Sequence, residues 1–260
     1  IDGVGTKSIL ARKIFGNESF INLGKDIVNH SVNDILVQGA YPLFFMDYYG
    51  THNLNLDELK NFIKGVSLAC NENGKFPLLG GETAEMPKIY NKEETDLVGC
   101  IMGKKDPNFF KNGVQAGDLI VGLKSNGPHT NGFSLLNKIF EKHNKQNEII
   151  ESLLTPHKSY LNDVEDFISK YGYDNLHGMA HITGGGLKEN IDRVIPPKLT
   201  LNLNYKTIKT NLPEWCVYIM NHSDIYFEEF LNVFNCGIGY VLIVPPNIDL
   251  SYYTIIGTIL

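Results

Sequence analysis

Through the first 103 residues, short apolar runs alternate with longer stretches whose apolar residues recur at helical spacing. This alternation limits the fold more than any other feature of the chain. Ile27, Val28, Val32, Ile35 and Leu36 line one face of a helix that Gly39 would end as a C-cap. Leu43–Tyr49 has the length and aromatic content of a strand. Leu54–Asn73 returns to helical period through Leu56, Leu59, Phe62, Ile63, Val66 and Leu68, while Phe76–Leu79 and Asp96–Gly103 are again of strand length. Ser8–Phe15 is a further amphipathic segment. Residues 1–103 therefore read as strand, helix, strand, helix, strand, strand, which is an α/β unit.

Lys104–Ala116 is polar and irregular, with Pro107, Asn108 and Gly113, and it marks a boundary. Two domains are expected, 1–108 and 109–260. In the second, strands are expected at Gly117–Leu123, Val241–Val244 and Ile255–Leu260. Helices are expected at Ser134–His143, 159–171, Leu187–Val194, 213–221 and 224–233, an α+β pattern. A chain of 260 residues is long enough to bury roughly 75% of its unfolded surface. Its net charge of −6, without a basic run, makes nucleic acid a poor partner. No apolar run reaches the ~18 residues of a membrane span. Cys70, Cys100, Cys216 and Cys236 lie far apart and form no CxxC pair. They read as buried thiols of a reducing compartment, which places the expectation in the cytoplasm. The sequence opens at Ile1, mid-motif and without Met, so a preceding segment is expected.

Several polar, glycine-rich stretches punctuate this frame. Gly80-Gly81-Glu82-Thr83-Ala84-Glu85-Met86-Pro87 follows the apolar run 76–79. The glycine pair would turn the chain sharply and leave the Glu82 carboxylate at a strand end, where open α/β sheets collect ligands and a hard cation could carry phosphate oxygens. A tight turn with solvated acids accounts for the same residues equally well. Asp2-Gly3-Val4-Gly5-Thr6-Lys7-Ser8 resembles a P-loop, but Thr6 stands where that motif has Gly. Its chemistry still suits phosphate: Asp2 for a metal, the amides of Gly3 and Gly5, and the point charge of Lys7. Asn33 and Asp34 sit beside an apolar stripe, where an Asp is costly unless paired or metal-bound. Gly127-Pro128-His129-Thr130-Asn131-Gly132 precedes a helix and offers an anion site, and Gly184, Gly185 and Gly186 do the same after His181 and Thr183. His157, after Pro156, reads as an ordinary loop histidine.

Taken in order, Asp2–Lys7, Asp34-x4-Gly39-Ala40-x-Pro42, Gly80–Pro87, Gly127–Gly132, His181-Ile-Thr-Gly-Gly-Gly186 and Phe234-Asn-Cys-Gly-Ile-Gly239 resemble the aminoimidazole ribonucleotide synthetases, or phosphoribosylformylglycinamidine cyclo-ligases, over essentially the whole chain. The Asp34–Pro42 pattern is shared with the related selenophosphate synthetases and thiamine-monophosphate kinases; Gly80–Pro87 and His181–Gly186 are more specific. The resemblance implies ATP-dependent ring closure of formylglycinamidine ribonucleotide to aminoimidazole ribonucleotide in purine biosynthesis, with ADP and phosphate released. It implies an N-terminal α/β domain whose sheet forms a barrel across a homodimer, and a C-terminal α+β domain with a mixed sheet. Mg²⁺ would come with ATP, and a monovalent cation is a further candidate.

By motif, the resemblance assigns Asp2, Asp34 and Glu82 to the metal. It assigns Asp2, Gly3, Gly5, Thr6, Lys7, Asn33, Asp34, Gly81, Glu82 and Thr83 to ATP. The ribonucleotide falls to His129, Thr130, Asn131, His181, Thr183, Gly184, Gly185, Gly186 and Asn235. His181 and Lys7 are the catalytic candidates: His181 could accept a proton near neutral pH or hydrogen-bond the formyl oxygen, and a contact to the ribose phosphate or packing in the core accounts for it equally well. Against the family pattern, a glycine-rich segment that covers ATP is expected before Ile1. Asn232 and Val233 replace an Arg-Thr pair, and loop 245–254 is short.

Overall fold

The computed structural model describes residues 1–92, 94–143 and 148–260. Two sheets carry the fold. The first, in the order β1-β4-β2-β3, uses β1 (Asp2–Gly3), β2 (Ala40–Thr51), β3 (Leu78–Glu85) and β4 (Thr95–Lys105). β2 runs antiparallel to β4 and parallel to β3, so this sheet is mixed. The helices α1 (Lys7–Phe15), α2 (Ser19–Leu36) and α3 (Leu56–Glu72) belong to the same half. Asn55 starts α3 by accepting hydrogen bonds from the amides of Asp57 and Glu58. Phe45 and Tyr49 of β2 are buried with Leu23, Ile27, Phe62 and Val66 of the helices. Alternate residues of β2 point the other way. Where α2 meets α3, a Cβ on Gly65 would come within 2.0 Å of the Ile21 carbonyl oxygen, and one on Gly24 within 2.3 Å of that of Phe62. The two backbones touch, and only glycine fits between them.

The second sheet, in the order β6-β8-β5-β9-β7, is built from β5 (Leu119–Lys124), β6 (Gly178–His181), β7 (Leu201–Leu203), β8 (Ile238–Val244) and β9 (Thr254–Ile259). The expected mixed sheet is found only in the first half. All four pairings in the second are antiparallel, because β5 takes β8 on one side and β9 on the other in opposite direction to itself. α4 (Phe133–His143), α5 (Glu148–Leu154), α6 (Leu161–Tyr171), α7 (Gly186–Asp192), α8 (Tyr205–Thr210), α9 (Glu214–His222) and α10 (Phe227–Val233) accompany it.

Three expectations need correction. The strand expected at 76–79 begins at Leu78 and continues to Glu85, through the glycine pair expected to turn. It continues because Gly80–Glu85 pair residue by residue with Met46–Thr51. A Cβ on Gly81 would lie 2.0 Å from the Asp47 carbonyl, so that glycine serves close strand approach rather than a turn. The helix beginning near Ile27 starts eight residues earlier, at Ser19. Elements at 148–154, 178–181, 201–203 and 205–210 are additional to those expected.

Candidate active site

α2 is the spine of the site. Its apolar stripe faces the first sheet, and its polar residues reach across to the second half. Lys7 and Asp26 form an ion pair of 2.8 Å with both side chains wholly buried. Lys7 Nζ also donates to the Thr155 carbonyl (2.8 Å), and Asp26 Oδ1 accepts the His157 amide (2.6 Å). Burial lowers the Lys7 pKa and raises that of Asp26, while each partner's charge opposes the other's shift. Asn29 Nδ2 donates to the His157 carbonyl, and Asn33 Nδ2 to that of Lys158. Asn33 Oδ1 accepts the Tyr160 amide. Asn33, expected beside ATP, therefore has both ends of its amide in a join between the two halves.

At the end of this polar stripe, four imidazoles and two carboxylates converge. Asp34 Oδ1 lies 2.8 Å from His181 Nδ1, so His181 carries its proton there and Asp34 accepts it. His30 Nε2 is 3.0 Å from Asp2 Oδ2 and 3.3 Å from Asp34 Oδ2, ion-pair distances outside hydrogen-bond geometry. His30 Nδ1 meets Thr130 Oγ1 at 2.8 Å. Burial works against a charge on His30, but the two carboxylates outweigh it and push its pKa up to about 9. The same contacts act in reverse on the acids. His30 lowers Asp2, and Asp34, despite partial burial that would raise it, is held well below the usual carboxylate range by His181 and His30. Both carboxylates keep a solvent face, with 47% and 40% of their side chains exposed.

Two facing carboxylates suit a hard divalent cation carrying phosphate. His30 reaches between them, and its raised pKa favours a positive charge there. Glu82 is not with them. It lies on the exposed edge strand β3 in one row with Tyr48, Val98 and Gly3, which puts it three strand spacings, about 14 Å, from the Asp2 edge. The expected convergence of three carboxylates does not occur within one chain, because β3 and β1 are opposite edges of the sheet. Gly81 and Thr83 are exposed on the same edge, while Gly3, Gly5 and Thr6 surround Asp2 at the other.

On the side of the second sheet, His181 ends β6, and its Nε2 is 3.0 Å from His157 Nε2. Both of its ring nitrogens are engaged, and burial lowers its pKa. His157, read from the sequence as a loop residue, is wholly buried here, because Asp26 and Asn29 hold its backbone amide and carbonyl against α2. His129 takes a left-handed backbone conformation (φ 64°) and stacks on His157 at 3.9 Å between ring centres. Burial holds His129 and His157 well below the usual histidine range. Gly185 and Gly186 are also left-handed, and a Cβ on Gly186 would lie 1.7 Å from the Leu231 carbonyl, so the turn into α7 requires glycine. Thr183 faces Asn190 across this turn, and Gly184 is exposed. Asn131 Nδ2 is buried without a partner among the described residues. Asn235 is buried, donating to the Gly127 carbonyl and accepting from the Gly237 amide. Sequence reasoning missed Asp26, His30 and His157. Only His30 left a signal: it precedes Asp34 by four residues, on the same helical face.

Two sheets joined by a helix that brings acidic residues to their seam define the class of AIR synthase related proteins. The N-terminal domain description of that class matches residues 1–104 and its C-terminal description residues 115–250. A phosphoribosylformylglycinamidine cyclo-ligase of Xylella fastidiosa (strain 9a5c) is 39% identical over 255 residues, which are 95% of this chain and 71% of that protein. One of Xanthomonas oryzae pv. oryzae (strain PXO99A) is 40% identical over 94% of this chain and 73% of its own. The chain belongs to the phosphoribosylformylglycinamidine cyclo-ligase family. Among solved structures, the thiamine monophosphate kinase of Aquifex aeolicus superposes with a TM-score of 0.67 at 15% identity, over 92% of this chain and 78% of that one. The hydrogenase maturation protein HypE in complex with ATP also reaches 0.67, at 16% identity, over 91% and 70%. Both share the fold.

Proposed function

We propose that this chain closes the imidazole ring of aminoimidazole ribonucleotide from formylglycinamidine ribonucleotide, with ATP consumed, as its family does, and that the seam between the two sheets is where it does so. The observation that carries the placement is the meeting of Asp2 and Asp34 from the first half with His181 from the second. A site that must join a nucleotide to a ribonucleotide is served by residues from both halves. Residues 1–108 supply the ATP side and 109–260 the ribonucleotide side.

Asp2 and Asp34 would hold the Mg²⁺ that comes with ATP, which supplies charge neutralisation for phosphoryl transfer when bound. The amides of Gly3 and Gly5 and the Thr6 hydroxyl would serve phosphate oxygens, once the Gly3 amide leaves Asp2 Oδ1 and the Thr6 hydroxyl leaves Ser134 Oγ. Glu82 reaches this site from a second copy of the chain. Leu43, Leu79 and Met102 of this sheet are all exposed, and a barrel between two copies would cover such apolar surface. Light scattering at micromolar concentration should give the mass of a dimer; a stable monomer would end that reading.

His181 stands where a proton can be accepted from the attacking nitrogen at Nε2, provided Nε2 releases His157, since Nδ1 already carries the proton donated to Asp34. Thr130, Asn131, Thr183, Gly184 and Gly185 line the same side for the ribonucleotide. Turnover of the purified protein with formylglycinamidine ribonucleotide and ATP tests the activity. His181→Asn tests the role: a base requires kcat to fall by about 10²–10⁴ with little change in KM. A rise in KM alone makes His181 a binding residue.

A further inference from the structure

The three imidazoles of His129, His157 and His181 lie behind the carboxylate pair and meet it only through the His181–Asp34 contact, and the role given to His181 does not account for the other two. They come from three separate connections of the second half: the loop before α4, the loop after α5 and the end of β6. All three are buried, and one nitrogen from each lies within 4.8 Å of the others. Buried polar atoms are normally bonded, yet Nδ1 and Nε2 of His129 and Nδ1 of His157 have no partner among the described residues. Space has been cleared for this cluster. A Cβ on Gly239 would lie 2.2 Å from His129 Cε1, and His129 itself occupies a left-handed conformation that few side chains adopt.

We propose that His129, His157 and His181 form a site for a borderline divalent transition metal of the Zn²⁺ or Co²⁺ kind, behind the Mg²⁺–ATP carboxylates and joined to them through Asp34. Three neutral imidazoles with an open fourth position are a donor set that suits Zn²⁺ and its neighbours; Mg²⁺, which demands oxygen ligands, is not served by it. The protonation pattern already agrees. His181 donates its Nδ1–H to Asp34 and turns Nε2 inward, the arrangement in which an outer carboxylate orients a ligating histidine. His157 Nε2 and His181 Nε2 are 3.0 Å apart, close to the roughly 3.3 Å between two nitrogens on one tetrahedral zinc.

On binding, the proton between those two nitrogens moves to His157 Nδ1, which is unpartnered and can carry it, so no net proton is lost. His129, stacked on His157 at an interplanar angle of 21°, must tilt to bring a nitrogen in, and no hydrogen bond holds it back. Burial keeps His129 and His157 neutral, as ligands must be. A metal on His181 Nε2, with Nδ1 donating to Asp34, leaves that ring no lone pair, so His181 serves as the base only in the metal-free protein and the two roles alternate.

The full chain, stripped with a chelator, is titrated with Co²⁺ and then Zn²⁺. One equivalent per chain, the visible absorption of tetrahedral Co²⁺ and resistance to excess Mg²⁺ are expected. X-ray absorption of the Zn²⁺ form should show three imidazoles and one further light ligand. His157→Leu and His129→Leu should each weaken Co²⁺ binding by more than the about 10–100-fold that loss of an outer partner costs. The absence of stoichiometric binding overturns the proposal. So does a shell of two imidazoles and a carboxylate, which would place the ion among His30, Asp34 and His181 instead. The absorption measurement uses the unaltered protein and stands whether or not the variants fold.

Discussion

Lys7 separates a motif-based role from a structural one, and the separation can be measured. By motif it reaches phosphate; in the structure it is wholly buried between Asp26 and the Thr155 carbonyl. Breaking a buried pair by removing one partner costs about 3–5 kcal/mol, because a desolvated charge is left behind, whereas replacing both by apolar groups of similar volume is often close to neutral. Lys7→Met leaves Asp26 with only the His157 amide, and Asp26→Leu leaves both the ammonium and that amide without their carboxylate. Each single variant should lose about 3–5 kcal/mol, which for a chain of this size lowers Tm by roughly 6–20 °C. The double variant Lys7→Met with Asp26→Leu should lose only the about 1–3 kcal/mol of an unpaired buried amide. Urea unfolding of the four proteins gives the coupling, expected to be at least about 3 kcal/mol. Additive losses, or a Lys7→Met loss under about 1 kcal/mol, refute the reasoning. The kinetics of the double variant then decide the role. An unchanged KM for ATP makes Lys7 a strut. A KM raised about tenfold or more means that Lys7 leaves Asp26 when ATP binds.

Three further outcomes follow from the geometry. Gly65→Ala places a methyl 2.0 Å from the Ile21 carbonyl, so it should cost about 1–3 kcal/mol or more in urea unfolding; a neutral result would mean that α2 and α3 can separate freely. Stability of the metal-free protein should peak near neutral pH. His129 and His157, whose folded pKa values are depressed, lose about 1.4 kcal/mol each per unit as pH falls below roughly 6.5. His30, raised to about 9, keeps its contribution below roughly 6.5 and loses it as pH climbs to about 9; stability flat from pH 5 to 9 would contradict the cluster. Mixing Glu82→Gln protein with Asp34→Asn protein should recover about a quarter of full activity, since half of randomly exchanged dimers hold one intact site. No recovery would show that Glu82 does not act from the second copy.

The α/β frame was legible because it rests on local periodicity. The apolar stripe of α2, the aromatic run of β2 and the start of α3 at Asn55 each announce themselves within a few residues. The glycine pair before Glu82 was misread for a physical reason. Glycine permits both a turn and the close approach of two strands, and the choice depends on β2, more than thirty residues earlier in the chain. The same dependence moved Glu82 from a strand end to an exposed edge.

The histidine cluster was illegible for a different reason. Its members are separated by up to 151 residues (30 to 181), and nothing local distinguishes a histidine bound for the core from one bound for the surface. What decides His157 is Asp26, whose carboxylate takes its backbone amide, and Asp26 in turn is held by Lys7. The P-loop-like opening of the chain therefore acts on the far side of the site through a buried pair. Lys7 fixes Asp26, Asp26 fixes the loop carrying His157, and His157 meets the inward nitrogen of His181. On the other side of that ring, Asp34 holds the outward nitrogen. The orientation of the proposed base is thus set from both halves at once. Loosening the Lys7 pair should disturb His181 even though the two residues share no contact.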